Sequence, residues 1–171
     1  MTRTLIVIDV QNDYFAGGAL PLWQAVETEA RIVAAIGATR AAGDRVVLVR
    51  HLSTAPTGPF RSDSAGVAIR TAILDAAAGA PVVTKRFPDA FQETDLSSHL
   101  AGTRTLLIAG MMTQNCVVFT ALSRAADAVG VQVASDLCTA PTELVHNIAL
   151  RALASKVRLR EAADIWRADD R

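Results

Sequence analysis

Cysteine is scarce in this sequence, charge of one sign is not in excess, and long apolar runs are absent. Two cysteines among 171 residues, Cys116 and Cys138, are too few for a disulfide scaffold and lack the spacing of metal ligands. Lys and Arg together number 17, as do Asp and Glu, and no basic block indicates a nucleic acid or an anionic membrane as partner. No apolar run approaches the ~20 residues of a membrane-spanning helix. We therefore expect neither nucleic-acid nor membrane binding.

The amino terminus carries no leader pattern, because residues 1–4 run directly into a predicted strand, and we expect no signal peptide. A cytoplasmic location is therefore expected, where thiols stay reduced. Apolar residues make up 51% of the chain and charged residues 20%, which is typical of a globular protein. The length suits one domain over residues 1–171, and the sequence contains no repeat, linker or low-complexity segment.

Short apolar runs alternate with helical patterns along the chain, which is typical of an α/β layered domain with a mainly parallel sheet. Apolar runs predict strands at residues 5–8, 45–50, 81–85, 104–109, 131–134 and 157–159. Apolar residues at helical spacing predict helices over residues 21–42, 64–78, 96–101, 114–129 and 142–155. A polar tail is predicted over residues 161–171.

Three reactive side chains follow predicted strands, directly or after a short turn. Asp9 follows the first strand, Lys85 ends the third, and Cys116 stands just past Gly110 near the start of a helix. In parallel α/β sheets, ligands bind beyond the carboxyl ends of the strands. The unpaired N–H groups and the dipole at a helix start favour an anion, so we expect Cys116 to be biased toward thiolate.

These residues suit nucleophilic hydrolysis. Cys116 would attack a carbonyl or similar carbon, giving a thioester that water hydrolyses. Asp9 would accept the thiol proton and return it to the leaving group, while Lys85 would stabilise the thiolate. The backbone N–H of Cys116 and one from the 110–113 turn would hold the oxyanion. Taken singly, each has an ordinary alternative: a turn cap for Asp9, a solvated charge for Lys85 and a buried small side chain for Cys116.

Three segments share their residue pattern with a known enzyme family. Residues 5–15, LIVIDVQNDYF, resemble an opening motif with a D-x-Q-x-D-F core. Residues 83–91, VTKRFPDAF, resemble a lysine segment, and residues 110–117, GMMTQNCV, resemble a G-x-x-T-x-x-C-V nucleophile turn. In this order and at this spacing, the three motifs resemble those of the isochorismatase-like cysteine hydrolases, and the set is more specific than any one of them.

The resemblance implies a three-layer α/β/α fold around a six-stranded, mostly parallel sheet. It also implies a catalytic triad of Asp9, Lys85 and Cys116. A cis peptide bond between Met111 and Met112 is implied as well, which would turn the Met112 N–H toward the oxyanion beside the Cys116 N–H. The assemblies common in the family imply a homo-oligomer, either a dimer or a larger one.

Hydrolysis of a small-molecule amide or related C–N bond is the function that the resemblance implies. Isochorismatases of the family cleave a vinyl ether instead, and a non-catalytic member that binds a small molecule or a partner is a third alternative. Nicotinamidases of the family carry a metal site on an Asp-x-His pair after the second strand, whereas residues 50–53 here read RHLS and retain only His51. We therefore expect no metal and no cofactor. The sequence leaves the substrate open.

Substrate contacts are expected from Phe15, Phe60 and Phe91, which lie in loops beyond the strand ends, and from Thr113 of the nucleophile turn. Aromatic walls suit a flat or apolar acyl group. The phenylalanines could equally pack within the loops or in a subunit interface.

The second cysteine and two of the histidines show no partner pattern. Cys138 is interpreted as a core residue. His99 and His146, in or near predicted helices, are interpreted as surface or packing residues.

Overall fold

Six strands form one sheet in the computed structural model, which describes residues 2–167. The strands are β1 (Arg3–Ile8), β2 (Arg45–His51), β3 (Val82–Lys85), β4 (Thr105–Met111), β5 (Gly130–Thr139) and β6 (Arg158–Arg160). Their spatial order is β3-β2-β1-β4-β5-β6, and every neighbouring pair is parallel. The predicted α/β fold with six strands is confirmed, and the sheet is wholly rather than mostly parallel.

Six α-helices are present between residues 2 and 167. They are α1 (Ala25–Ala41), α2 (Thr71–Ala76), α3 (Leu96–His99), α4 (Val118–Ala121), α5 (Glu143–Leu153) and α6 (Ala162–Ile165). None of the helices in this part of the chain is long and apolar enough to cross a membrane. Residues 168–171 of the predicted polar tail lie outside the described residues.

Both faces of the sheet are covered, which explains why β1 is a continuous apolar run. Side chains of a strand alternate between the faces, so Leu5 and Val7 join one core, and Ile6 and Ile8 join the other. The first core receives residues of α1, α2 and α6, and the second receives residues of α3, α4 and α5. The helices therefore form the two outer layers of the implied three-layer fold.

The centre of the sheet is the pair formed by β1 and β4, which are neighbours in space although β2 and β3 lie between them in sequence. Gly110 of β4 pairs with Ile8 and has a φ of 123°. A Cβ at Gly110 would lie 2.1 Å from the Ile8 carbonyl oxygen, so no residue with a side chain fits there without a shift of the backbone. The order of the strands reverses at this pair, and ligand sites of open α/β sheets lie at such points.

Two predicted helices differ from the structure. The helix predicted over residues 114–129 is wrong, because α4 ends at Ala121 and a separate 3-10 turn covers Arg124–Ala126. The Ser123 side chain accepts a hydrogen bond from the Ala125 N–H and so caps the new turn, which competes with continuation of the helix. The helix predicted over residues 64–78 is instead a 3-10 turn, Ala65–Val67, followed by α2.

The fifth strand is longer than its apolar run of residues 131–134 predicts. It extends from Gly130 to Thr139, and its pairing with β4 shifts register between Ile108 and Gly110. The pattern of residues 135–139 did not predict a strand, because this segment contains polar residues and a bulged strand does not keep the alternation of side chains. Cys138 lies in the extension, and it is buried as predicted.

Candidate active site

The carboxyl ends of β1, β2 and β3 and the turn after β4 bring four reactive side chains together. Asp9 directly follows β1 with a φ of 53°, and its N–H donates to the Val49 carbonyl at 2.9 Å. Lys85 ends β3 and pairs in register with His51 at the end of β2. Cys116 lies in a single π-helical turn, Thr113–Val117, between β4 and α4. The structure therefore clusters the three predicted residues and adds His51.

The Lys85 ammonium is the centre of this cluster. Its Nζ lies 2.8 Å from Asp9 Oδ2, 3.2 Å from Cys116 Sγ and 3.1 Å from His51 Nδ1. The Phe87 carbonyl accepts from the same nitrogen at 3.1 Å. The side chains of Lys85 and Asp9 are fully buried, and Cys116 is 3% exposed. A charged pair without solvent persists only with further hydrogen bonds, and this ammonium donates to His51, to the Phe87 carbonyl and to Cys116.

Burial and the neighbouring charges both change the pKa values of Lys85 and Cys116. For Lys85, burial opposes the charged form, but the negative charges of Asp9 and Cys116 outweigh it and raise the pKa. For Cys116, burial and then the charge of Asp9 raise the pKa to about 12, although Lys85 works against both. The resting group is therefore a thiol held beside a cation.

The predicted bias of Cys116 toward thiolate is consequently wrong for the resting protein. The prediction assumed a helix start with an effective dipole, but the turn Thr113–Val117 leads into an α-helix of only four residues. Burial of the sulfur is the largest cause of its raised pKa. Ionisation of Cys116 therefore requires a group that takes its proton.

Asp9 has an oxygen available for that proton. Among the described residues neither of its buried carboxylate oxygens has a hydrogen-bond partner, and Oδ2 lies 2.8 Å from the Lys85 ammonium as an ion pair. The candidate ligand atoms of Asp9, His51 and Cys116 all lie within 4.8 Å of one another. A buried acceptor without a donor is costly, so the free oxygen beside the thiol favours proton transfer between them.

His51 reaches the site because Gln11 holds its backbone on both sides. The fully buried Gln11 side chain accepts from the His51 N–H at 2.8 Å and donates to the His51 carbonyl at 2.9 Å. Sequence reasoning treated His51 only as a weak metal-ligand signal and gave Gln11 no role. Pairing of its strand with the strand of Lys85 was the signal that could have placed His51 in the site.

Asp9, His51 and Cys116 also offer the oxygen, nitrogen and sulfur donors of a transition-metal site. The Lys85 ammonium, however, lies within hydrogen-bond distance of each of the three. A metal ion in contact with all three donors would have to displace this charged nitrogen. The donors therefore fit the ammonium and do not fit a metal ion beside it.

The turn that carries Cys116 is anchored through Thr113. The peptide bond between Met111 and Met112 is cis. Thr113 is fully buried, and its hydroxyl forms a 2.8 Å hydrogen bond with His146 Nδ1 of α5. His146 is buried and contacts the ring of Trp23, so it is a packing residue, as one of the two interpretations held. The Thr113 hydroxyl is thus hydrogen-bonded to His146, and its contact with a substrate stays a prediction.

The three phenylalanines predicted to line the pocket lie in different surroundings. Phe60 is buried, and its ring centre lies 5.6 Å from that of His51 and 4.9 Å from that of Tyr14, both in edge-to-face arrangements. Phe15 is buried beneath the Arg70 guanidinium, which lies 4.2 Å from its ring centre. Phe91 is partly buried and packs against the second core. Phe60 contacts the site residue His51, and Phe91 packs against the core cluster that includes Cys116.

Comparison with known proteins supplies the family. The sequence profile of the isochorismatase domain matches residues 3–164. The chain belongs to the isochorismatase family. It is 30% identical over 145 residues to the isochorismatase family protein YddQ of Bacillus subtilis (strain 168), a match that covers 83% of this chain and 80% of that protein. The resemblance read from the three motifs is therefore confirmed.

Solved structures of this family share the fold. A protein from Oleispira antarctica assigned to the isochorismatase hydrolases superposes with a TM-score of 0.86 at 30% identity, covering 96% of both chains. The pyrazinamidase of Pyrococcus horikoshii, solved in complex with zinc, superposes with a TM-score of 0.83 over 94% of this chain and 99% of its own. Because that pair is 22% identical, the second likeness concerns the fold alone. The protein is an isochorismatase-family hydrolase with clustered Asp9, Lys85 and Cys116.

Proposed function

We propose that this protein hydrolyses an amide or related C–N bond of a small molecule through Cys116. One observation carries the proposal: the buried Lys85 ammonium contacts both Asp9 and Cys116, while neither Asp9 oxygen has a hydrogen-bond partner among residues 2–167. A merely structural ion pair needs neither a thiol on the cation nor a free carboxylate oxygen beside that thiol. The arrangement fits a nucleophile with its own base and a fixed counter-charge.

Every proton that is transferred in this mechanism has a named donor and acceptor. Asp9 takes the proton of the Cys116 thiol as the sulfur attacks the substrate carbon, and the Lys85 ammonium stabilises the negative charge that passes through the sulfur. The C–N bond then breaks, and the leaving nitrogen takes the proton from Asp9, which leaves a thioester on Cys116. Water then attacks the thioester with Asp9 as base, and the sulfur recovers the proton as the acid departs.

Backbone N–H groups of Met112 and Cys116 are the proposed oxyanion donors. Both belong to the turn that joins β4 to α4, and the turn is anchored by the buried hydrogen bond between Thr113 and His146. Donors fixed before the reaction stabilise developing charge without reorganisation. Phe60 and the half-buried His51 ring supply the apolar and polar sides of the proposed substrate contact.

Ammonia release from a panel of small carboxamides tests the proposal, with Cys116→Ala as the matched inactive variant. We expect release by the wild type only, together with a transient mass increase on Cys116 that equals the acyl group. Equal release by Cys116→Ala would contradict the proposal.

The name of the family favours vinyl ether cleavage as the second candidate. That reaction does not need a thioester, so a Cys116→Ser variant separates the two. Cleavage of isochorismate at similar rates by the wild type and Cys116→Ser, without amide hydrolysis, would support the second candidate. The homo-oligomer expected from the sequence stays a prediction, which light scattering in solution tests.

A further inference from the structure

Large apolar side chains are exposed on two neighbouring helices. Six such side chains are exposed between residues 2 and 167, and three of them lie on α4 and α5. They are Phe119, Leu144 and Ile148, with exposed fractions of 54%, 69% and 58%. Because the two helices contact each other, we call these three side chains the α4/α5 face. Single exposed apolar residues are common, but several large ones on adjoining helices indicate a surface that another protein covers.

The helix α5 is apolar on its outer side as well as on its inner side. Ala149 and Leu153 are buried, whereas Leu144 and Ile148 are one helical turn apart on the exposed side. A surface helix normally presents polar residues to water on that side. The composition of α5 therefore suits a helix that is covered from both sides.

A row of polar side chains runs beside the apolar pair on α5. Glu143, Asn147 and Arg151 follow one another at intervals of four residues, so they form one row along the helix, and all three are exposed. The row carries a negative charge in the first turn, an amide in the middle and a positive charge in the last turn. Neither Glu143 nor Arg151 forms an ion pair or hydrogen bond through its side chain with any residue between 2 and 167.

This order of charges is complementary to itself when the helix is reversed. In a two-fold pair, a residue before the centre faces the residue at the same distance after the centre. With Asn147 at the centre, Glu143 faces the partner subunit's Arg151, and Arg151 faces the partner subunit's Glu143. The same arrangement brings Leu144 beside the partner subunit's Ile148, about 3 Å apart along the helix axis at a rise of about 1.5 Å per residue.

We propose that the α4/α5 face is a homodimer interface, in which α5 packs antiparallel against α5 of a second copy of this chain. A second copy matches the order of Glu143 and Arg151 by symmetry alone, which favours it over a partner of another sequence. Phe119 of α4 adds exposed apolar surface next to the helix pair.

The other side of α5 reaches the candidate active site. His146 of this helix forms the hydrogen bond with the Thr113 hydroxyl, and α5 contacts the turn Thr113–Val117 that carries Cys116. Pairing of α5 with a second copy therefore holds the helix that anchors this turn.

Sedimentation velocity of the full chain tests the interface. We expect the wild type to sediment as a dimer and Leu144→Glu to raise the dissociation constant at least about 100-fold, because each dimer contains the substitution twice. A larger wild-type assembly should fall to half its mass in the same variant. Leu74→Glu, the same replacement at an exposed leucine, is the control and should leave the dissociation constant unchanged. Leu74 belongs to α2, which packs on the opposite face of the sheet from α5.

Exchange of the charges tests the antiparallel arrangement. In Glu143→Arg, two positive charges meet at each end of the helix pair, and in Arg151→Glu two negative charges meet there. Each variant alone should dimerise at least about tenfold more weakly than the wild type, because like charges across an interface repel. A mixture of the two variants restores an opposite pair at both ends and should form a mixed dimer with the affinity of the wild type. Native mass spectrometry, with one variant isotopically labelled, identifies the mixed dimer.

A wild type that stays monomeric at about 100 µM overturns the proposal, and the face then belongs to a different partner. A dimer that Leu144→Glu does not weaken overturns it as well, since another face then forms the interface. If Leu144→Glu fails to fold, the mixture of charge variants decides alone, and equal affinities in the separate and mixed samples overturn the antiparallel pairing. The result is independent of the proposed hydrolysis, because mass rather than turnover is measured.

Discussion

The two cysteines of this protein share their burial and differ in their neighbours. Cys116 is 3% exposed and Cys138 is 2% exposed, and burial is the main reason that the pKa of each thiol rises to about 12. Cys138 donates to the Ala134 carbonyl at 3.3 Å within its own strand. Cys116 instead has the Lys85 ammonium at 3.2 Å. The two thiols therefore differ in the ion pair beside Cys116, and this pair is the basis of the catalytic role that we propose for Cys116.

Removing each sulfur in turn gives the largest contrast. Cys116→Ala should lower hydrolysis by at least about 10⁴-fold, since a covalent route without its nucleophile is closed. Cys138→Ala should leave kcat/KM within about threefold of the wild type and cost about 1–2 kcal/mol of stability, as small truncations in a core do. Steady-state kinetics and urea unfolding measure the two effects. Loss of activity in Cys138→Ala with normal folding would break the comparison.

Replacement of Asp9 separates the ionisation of Cys116 from turnover. Asp9→Asn should lower hydrolysis by about 10²–10⁴-fold, because no group then carries the thiol proton to the leaving nitrogen. The same change removes a negative charge that raises the pKa of Cys116, so alkylation of Cys116 should become faster. Iodoacetamide labelling read by peptide mass measures the second effect at each cysteine. Slower labelling of Cys116 in Asp9→Asn would contradict the account.

The sequence was sufficient for the elements that depend on local pattern. The apolar run of residues 5–8 predicts β1, and Thr142 with Glu143 predicts the start of α5, where the Thr142 side chain does accept from the Val145 N–H. Asp9, Lys85 and Cys116 could be grouped because the carboxyl ends of parallel strands meet at one edge of the sheet. The motifs then made the family recognisable.

Features that depend on distant contacts could not be predicted. Polarity of the 135–139 segment concealed the second half of β5, which exists because it pairs with β4 after a register shift. The pKa of Cys116 depends on how deeply the fold buries it, which no local pattern shows. His51 lies in the site because β2 pairs with β3. Gln11, 40 residues away in the sequence, holds the His51 backbone with its side chain.

At alkaline pH, the two cysteines should contribute equally to the loss of stability. Each thiol has a folded pKa of about 12 against an ordinary value of 9.0, so each favours the folded state in its protonated form. This contribution is complete below pH 9 and is lost as the pH rises toward 12. Between about pH 8 and pH 10, Cys116→Ala and Cys138→Ala should each lose about 1 kcal/mol less stability than the wild type. Urea unfolding at both pH values measures the difference, and a steeper loss in either variant would contradict the sign.

A further effect on stability concerns the anchor of the turn that carries Cys116. Thr113→Val keeps the volume but leaves the buried His146 Nδ1 without its partner, so stability should fall by about 1–3 kcal/mol. Adding His146→Leu removes the second polar group and should recover part of that loss, because an apolar pair leaves nothing unsatisfied. Urea unfolding of the single and double variants measures this coupling. Strictly additive losses would show that the hydrogen bond is not the anchor.

Site-resolved alkylation of the native wild type tests the central claim most directly. Both thiols are buried and both have a raised pKa, so any difference in their rates reflects the neighbours that the structure assigns to them. We expect iodoacetamide to label Cys116 at least about tenfold faster than Cys138, since the Lys85 ammonium stabilises the thiolate only at Cys116. Equal rates, or faster labelling of Cys138, would contradict the claim that the ion pair activates Cys116.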